Sequence, residues 1–448
     1  MSGSDPEMRT APEPTGPTTA RRSLTVRQAA FIGVGSMVGA GIFALLGAAG
    51  EVAGAAVWIS FLLAGAIAGL QGYSFAKFGA RYPSGAGLFE YLYRGFGDGH
   101  LTGVTAWLTY VTNCIVTAMV AVSFGSYASA LFAHGDPTWV KIFAALVLVV
   151  MTGVNVVGSQ LVAKAQTVIV YVVLGILVIF AVVTLATANP TLLAPAGYPP
   201  VKDIVASVAL TFFAFLGFGI ITFTAKDLRE PSRQLPRAML LALSIATVIY
   251  VAIALGVFGT LPVQVVIDSG GTALAVAAEP TLGQAGYWLM TITALFATAG
   301  ATNAGLYPAV GLCDRLAETG QFPPLMARRL GGRASSGLLI QAVACLVLAL
   351  VFKLDAIASI GSAVALLVFT LITVAHVRIR AETGANVMIL VAAIAAAAVV
   401  LVTFVFTTLV HEPASIIALV VILGLSIALD YWWKRSRTSR AGRVQVAH

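Results

Sequence analysis

Residues 33–47 read GVGSMVGAGIFALLG, and five of these fifteen residues are glycine. The stretch lies inside the first long apolar segment of the chain, 28–50. A glycine in a helix interior costs roughly 1 kcal/mol relative to alanine, and a backbone group without a hydrogen bond is most costly in lipid. The pattern therefore predicts a membrane helix that is interrupted near its middle.

The composition around this stretch is that of a membrane protein. Of the 448 residues 59% are hydrophobic and 10% are charged, and the mean hydropathy is +0.95. Soluble domains carry about 25% charged residues. Apolar segments of roughly 20 residues, the length that crosses a bilayer, recur about twelve times, and no alternating barrel strands accompany them. The sequence therefore predicts an all-α polytopic membrane protein. The predicted spans are 28–50, 55–79, 100–132, 139–157, 161–187, 203–225, 237–260, 283–313, 336–352, 356–377, 386–409 and 413–433.

The basic residues predict the orientation. If both termini are cytoplasmic, 23 of the 26 Lys and Arg residues lie at cytoplasmic ends of the spans, as the positive-inside rule requires. Segment 1–24, rich in Pro, Thr and Ser, is predicted to be a disordered cytoplasmic tail, and 434–448 a basic cytoplasmic tail. The net charge of +8 then reflects contact with anionic lipid and not nucleic acid binding.

A second weak point lies five spans after the first. Residues 207–228, in and just after the sixth span, read SVALTFFAFLGFGIITFTAKDL and contain Gly217 and Gly219. Helices 1 and 6 run in opposite directions in the predicted topology, as in an inverted repeat of five helices. The alternative is that Gly35 and Gly39 form a small-residue motif for helix packing. The pairing with helix 6 favours two helices broken at midspan, where backbone groups are exposed to a ligand.

Five motifs resemble those of amino acid permeases of the amino acid–polyamine–organocation superfamily, in the expected order. They are GAGIF at 39–43, YPSGAG at 82–87, FAFLGF at 213–218, PSRQLPRA at 231–238 and TGQFP at 319–323. The resemblance implies a LeuT-like fold, two inverted repeats of five helices plus two peripheral helices, and amino acid transport by alternating access. The implied division is a core at 25–380, with repeats at about 28–187 and 203–380, and peripheral helices at 386–433.

The sequence departs from the family pattern at three places. Val173 occupies the position where proton-coupled members carry a Lys in helix 5. Residues 225–228, AKDL, stand where a Glu is frequent. Phe213 and Gly219 occupy positions where some arginine–agmatine exchangers carry Trp and Glu.

The two broken helices predict a site for a zwitterion. Free N–H groups at the start of the outer half of helix 1 suit a carboxylate, and free carbonyls at the end of its inner half, with those of helix 6, suit an ammonium group. Asn113 and Asn303 are candidate polar contacts, or else hydrogen-bond neighbouring helices. The predicted substrate-binding residues are Ser36, Met37, Gly39, Ala40, Gly41, Ile42, Asn113, Phe213, Ala214, Phe215, Leu216, Gly217 and Asn303.

The side chains near this site predict a neutral, apolar amino acid. Acidic and basic residues lie outside the middle of the spans, and Phe213, Phe215 and Phe218 are expected to form an apolar wall. A polyamine or a dicarboxylate would contradict this interpretation, because burying an unpaired charge is costly.

Three modes of energy coupling remain open. One is exchange of substrates without an ion. Another is a sodium ion held by Gly35, Thr298 and Thr302, whose hydroxyls otherwise bond back to their own helix. The third is protonation at Glu90, near a cytoplasmic loop.

Other classes of function fit the sequence less well. The five His residues lie near span ends or in tails, without partners at ligand spacing, and Cys114, Cys313 and Cys345 have no metal-ligand spacing, so an enzyme is disfavoured. A metal-ion transporter requires carboxylates at midspan, and a cation channel an acidic ring. We therefore expect a secondary transporter for an amino acid or related amine in the plasma membrane, without cofactor or resident metal.

Overall fold

Thr25 and Gln28 begin the first helix with reciprocal hydrogen bonds. Thr25 Oγ1 accepts from the Gln28 N–H at 3.3 Å, and Gln28 Oε1 accepts from the Thr25 N–H at 2.9 Å. Such a capping box satisfies two N–H groups that the helix itself leaves free. The computed structural model describes residues 24–84, 87–157, 160–330 and 334–445. Apart from Leu24, the predicted tail 1–24 lies outside the described residues.

The described chain is almost entirely helical, which confirms the predicted class. The α-helices are α1 Val26–Ala40, α2 Ile42–Ala53, α3 Val57–Arg81, α4 Leu88–Phe96, α5 His100–Phe132, α6 Pro137–Val157, α7 Gln160–Ala186, α8 Val201–Phe213, α9 Pro231–Thr260, α10 Val263–Ser269, α11 Ala273–Leu306, α12 Pro308–Glu318, α13 Ser336–Val351, α14 Leu354–Arg378, α15 Arg380–Thr383, α16 Val387–Thr407 and α17 Pro413–Gln445. The 3₁₀ helices are Gly54–Ala56, Pro190–Leu193, Pro195–Gly197, Leu216–Asp227, Gly270–Thr272, Pro324–Ala327 and Leu409–His411. Two short strands, β1 Arg329–Leu330 and β2 Ala334–Ser335, pair antiparallel.

Ten helical segments of the described chain are long and apolar enough to cross a membrane. The helix α13 is also apolar but shorter, with 16 residues. The protein is therefore a multi-pass membrane protein with about ten such helices.

Burial separates central helices from peripheral ones. The apolar window of the segment Val201–Asp227 is 89% buried, whereas that of Pro413–Ser436 is only 17% buried. Large apolar side chains on the outer helices are exposed, such as Val182 on α7 and Val420 on α17. In a bilayer these side chains face lipid, while α8 and its continuation lie inside the bundle.

Two predicted spans, 283–313 and 413–433, differ clearly from the structure. The predicted span 283–313 is divided, because α11 ends at Leu306 and α12 begins at Pro308, whose ring cannot donate a backbone hydrogen bond. Gly283, the predicted start, is a kink inside α11 with φ 68° and ψ −168°. The last helix does not end at 433 but continues through most of the basic segment, to Gln445.

Candidate functional site

The first interruption is a single residue, Gly41, between α1 and α2. Its φ is −101° and its ψ −78°. Its N–H donates to the Met37 carbonyl at 2.8 Å, and its own carbonyl accepts from the N–H groups of Ala44 and Leu45 at 3.2 and 3.0 Å. The Met37 carbonyl, predicted to be free for an ammonium group, is therefore occupied. Gly35 and Ser36 lie inside the regular helix α1, so the break is narrower than the sequence predicts.

The second interruption follows α8 and changes the type of helix. Ala214 and Phe215 form a turn whose N–H groups donate to carbonyls three residues earlier, Thr211 and Phe212, at 3.1 and 2.9 Å. The chain then continues as a 3₁₀ helix of 12 residues, Leu216–Asp227. Runs of this helix longer than about four residues are uncommon because its hydrogen bonds are poorer, and they mark hinges or strain.

The two interruptions lie against each other. A Cβ atom on Gly41 would be 2.7 Å from the Ala214 carbonyl oxygen, and one on Gly217 would be 2.5 Å from the Met37 nitrogen. Each glycine thus admits the backbone of the other segment, and any larger residue would push them apart. A Cβ atom on Gly35 or Gly39 would contact Val170 on α7 or Ala297 on α11. This pair therefore has the packing role that the sequence left as an alternative.

The three phenylalanines of the second interruption point in different directions. Phe213 packs at Gly361 on α14, next to Ile115 on α5. The Phe215 ring lies 5.1 Å from the ring of Tyr250 on α9. Phe218 lies 5.5 Å from the rings of Phe75 on α3 and Phe369 on α14. In this structure Phe215 faces α9 whereas Phe213 and Phe218 face α14, because neighbouring residues of a helix point to different sides. Of the three, Phe213 is the one that packs between α14 and Ile115 on α5.

The remaining predicted positions of this site are closely packed. Ile42 and Ala214 have no exposed surface, and Leu216 has 8%. Of the Ala40 side chain the structure gives no description. The Ala214 carbonyl accepts from the Tyr250 hydroxyl at 3.3 Å. The backbone of the two segments is thus enclosed inside the bundle, with one side-chain contact from α9.

Comparison with known proteins decides the family. A family model described as amino acid permease matches residues 24–427. The chain belongs to this family. It is 30% identical over 409 residues to the inner membrane transport protein YbaT of Escherichia coli K12, covering 91% of this chain and 95% of that protein.

Two further relatives carry names with different substrates. The vacuolar cationic amino acid transporter 2 of Arabidopsis thaliana is 28% identical over 327 residues, or 68% of this chain and 51% of the relative. The methylthioribose transporter of Bacillus subtilis 168 is 25% identical over 323 residues, or 68% and 69%. The permease is therefore a membrane transporter, and its substrate must be argued from its own residues.

The two predicted asparagines of this permease bond to neighbouring helices. Asn113 Nδ2 donates to the Gly305 carbonyl at 2.9 Å, and Gln341 Nε2 on α13 donates to the same oxygen at 3.0 Å. Asn303 Oδ1 accepts from Asn155 Nδ2 on α6 at 2.8 Å. These bonds join α5, α6, α11 and α13, which is the structural alternative that the sequence left open.

Of the three predicted sodium residues, Gly35 lines a small cavity and the two threonines do not. Gly35 and Gly39 line it together with Val170, Val173 and Ala297, and it has room for roughly one water molecule. Val173, the position of the family's Lys, therefore faces α1. The Thr298 hydroxyl donates to the Ala294 carbonyl at 2.6 Å and the Thr302 hydroxyl to the Thr298 carbonyl at 2.8 Å. Each hydroxyl oxygen keeps lone pairs that can accept or ligate.

Glu90, the third coupling candidate, lies in α4 and has two basic contacts. Its Oε1 is 2.9 Å from Arg94 Nε, and its Oε2 is 3.5 Å from Arg315 Nη2 on α12. The carboxylate thus joins two short helices at one end of the bundle. These two ion pairs favour a structural role for Glu90 over a role in proton coupling.

The sequence did not single out two buried hydroxyls on α5. Ser123 Oγ and Tyr127 Oη are buried and have no hydrogen-bond partner among the described residues. The residues are one turn apart, and the Tyr127 ring contacts Phe43 on α2 edge-on, with centroids 5.9 Å apart. An unpaired buried polar group costs about 1–3 kcal/mol, so such groups require an explanation. The spacing of four residues was the available signal, but polar residues are frequent along α5.

Proposed function

We propose that this permease is a secondary transporter that carries a neutral amino acid across the plasma membrane by alternating access. The observation that carries the proposal is the contact between two interrupted helices inside the bundle, Gly41 against Ala214 and Gly217 against Met37. Interrupted membrane helices expose backbone N–H and C=O groups to a ligand at midspan. These groups bind a zwitterion without ionised side chains.

The distribution of charge supports a neutral substrate. Among the described residues, the acidic side chains that are buried are Glu90 and Asp430, on α4 and α17. Neither lies on α1, α2, α8 or the 3₁₀ helix Leu216–Asp227. A charged substrate side chain would need a partner there, since burying an unpaired charge costs several kcal/mol.

The proposed contacts come from three helices. The start of α2, at Ile42 and Phe43, offers N–H groups and the positive end of a helix dipole to the carboxylate. We assign the ammonium group to the carbonyls around Ala214 and Leu216, of which the Ala214 oxygen accepts from Tyr250 and keeps a second lone pair. Phe213 contacts the substrate side chain, and the unpaired hydroxyls of Ser123 and Tyr127 contribute polar contacts from α5. This set differs from the predicted one, in which Asn113 and Asn303 had that role.

We propose that the helices have the LeuT-like arrangement and that alternating access takes place within it. In it α1 with α2 and α8 with Leu216–Asp227 are equivalent broken helices of two inverted repeats, within twelve spans whose termini are cytoplasmic. The positive-inside distribution of Lys and Arg supports this orientation. The 3₁₀ segment, with its weaker hydrogen bonds, is the hinge.

Uptake into vesicles tests the proposal. The purified full-length permease is reconstituted, and uptake of labelled alanine, leucine and phenylalanine is measured in competition with arginine, glutamate, putrescine and methylthioribose. We expect saturable, stereospecific uptake that only neutral amino acids inhibit. Uptake of arginine or putrescine alone would contradict the proposed substrate, and non-saturable ion conduction would indicate a channel. Imposed sodium, pH or internal-substrate gradients then distinguish the modes of coupling.

A further inference from the structure

His376 is a titratable residue buried where α3, α14 and α15 meet. Its side chain lies near the end of α14, and the residue has no exposed surface. Nδ1 lies 2.8 Å from Ser74 Oγ on α3, and Nε2 lies 2.8 Å from Thr383 Oγ1 on α15. The ring packs on Phe78, with centroids 4.2 Å apart. Both nitrogens therefore have partners, and the imidazole bridges three helices.

The two partners suit a neutral imidazole. A neutral ring has one N–H and one bare nitrogen, and a hydroxyl group can accept from the first and donate to the second. An imidazolium has two N–H donors, so both hydroxyls would have to accept. It would also place a positive charge in a buried site, which is costly without a counter-ion.

The charged groups of the surrounding elements supply no such counter-ion. Lys77 on α3 is positively charged and would repel an imidazolium at this position. Arg378 lies over the Phe96 ring, 4.9 Å from its centroid, and Arg380 donates to the Val377 carbonyl. Glu382 on α15 accepts from the Tyr82 hydroxyl, at the end of α3. In the packed arrangement of α3 and α14, the ring is therefore held without a proton.

The ring is close to water on one side only. Thr383 ends the four-residue helix α15, and Gly384 follows it in the left-handed conformation, with φ 62°. The first three residues of α15 are exposed, and Thr383 is half-buried. On the other side Gln71 and Thr373, both fully buried, hydrogen-bond to each other one turn deeper between α3 and α14. A proton therefore reaches His376 past α15, from the side that the proposed topology makes cytoplasmic.

We propose that His376 is a proton-binding site that links the packing of α3 against α14 to the pH on the cytoplasmic side. The inference rests on the proposed function, because it requires that these helices separate at their cytoplasmic ends during transport. Protonation favours the separated arrangement, in which water replaces Ser74 and Thr383 as partners. This site would supply a proton carrier that the Lys position, Val173, does not.

The first test uses the transport activity. Uptake of the neutral amino acid is measured in vesicles at internal pH values of about 5.5 to 8, the range over which histidine changes charge, for the wild type, His376→Gln and His411→Gln. Glutamine keeps one donor and one acceptor but does not titrate. His411, exposed and hydrogen-bonded to the Thr407 carbonyl, is the control, because the proposed topology places it at the outer end of the spans, away from the internal solution. We expect rates to change about fivefold with internal pH in the wild type and the control, and less than about twofold in His376→Gln, each relative to its own rate at about pH 8.

The second test does not depend on transport. Thermal unfolding of the purified protein is compared at about pH 8 and pH 5.5. The folded site holds a neutral ring, whereas the unfolded chain protonates near pH 6.5, so acidification lowers the wild-type midpoint more than that of His376→Gln.

The outcomes separate the two proposals. Equal pH profiles of wild type and His376→Gln, or equal falls in the unfolding midpoint, would overturn the proton site while leaving amino acid transport intact. Absence of amino acid uptake by the wild type would instead overturn the proposed function, and the unfolding comparison would still decide about His376.

Discussion

The two interruptions of this permease are in contact, yet they differ in extent. At Gly41 a single residue separates two α-helices, and its N–H keeps a hydrogen bond to the Met37 carbonyl. After Phe213 a turn leads into twelve residues of 3₁₀ helix. A 3₁₀ helix rises about 2.0 Å per residue and an α-helix about 1.5 Å. Conversion of the second segment to α-helix would therefore shorten it. The first interruption contains no 3₁₀ helix and cannot shorten in this way. The difference suggests that α1 and α2 form the fixed side of the site and that the segment after α8 moves.

The largest expected effect tests the contact between the interruptions. Gly217→Ala places a Cβ atom 2.5 Å from the Met37 nitrogen, whereas a Cβ atom on Gly219 meets nothing closer than 3.5 Å. Overpacking of this kind costs about 1–3 kcal/mol, so we expect Gly217→Ala to lower uptake about tenfold or more. Gly219→Ala, the matched control in the same 3₁₀ segment, should transport within about twofold of the wild type. Similar behaviour of the two variants would refute the idea that backbone contact organises the site.

A middle-sized effect distinguishes the phenylalanines of the second interruption. We expect Phe213→Leu to raise the KM for the amino acid about fivefold, because this side chain lies between α5 and α14, where we propose that it contacts the substrate. Phe215→Leu removes the ring that packs on Tyr250, and should lower the unfolding midpoint with little change in KM. Uptake kinetics and thermal unfolding of both variants check this prediction, and a reversed pattern would place the substrate on the α9 side.

The smallest expected effect compares one hydroxyl at each interruption. Tyr127→Phe removes an unpaired hydroxyl next to Phe43 on α2, so the folded protein should lose no stability while substrate affinity falls about threefold. Tyr250→Phe removes the hydroxyl that donates to the Ala214 carbonyl at 3.3 Å, and should cost about 0.5–1 kcal/mol of stability. Isothermal titration and thermal unfolding give the two quantities. Unchanged affinity in Tyr127→Phe would remove α5 from the substrate site.

Much of the architecture was predictable because the signals are local. Apolar length predicts membrane helices wherever it occurs, and paired glycines marked both interruptions. The error at 283–313 was also local in origin, since Pro308 separates α11 from α12 within one apolar run. The direction of Phe215 and Phe218 was not predictable in the same way. It depends on how the segment after α8 is rotated against α9 and α3, which an apolar run without periodicity does not encode.

For polar residues of the candidate site, too, the sequence predicts the helix on which a residue lies but not the partner that it contacts. Asn113 and Asn303 were placed on the correct helices, but whether an amide meets a substrate or Gly305 depends on the distance to the next helix. His376 looked like an ordinary residue near a span end. Its significance comes from Ser74, about 300 residues earlier in the chain, and Thr383, seven residues later.

The sequence by itself determined that this chain is a helical membrane protein of the permease family with weak points in its first and sixth apolar segments. These properties follow from the free energy of placing each residue or segment in lipid, which composition sets without reference to other segments. Only the tertiary structure decided that the weak points interlock, how far each departs from an α-helix, and which polar groups remain unpaired. Those properties change when the distance between segments far apart in sequence changes by a few tenths of an ångström. Close packing makes each contact depend on all its neighbours.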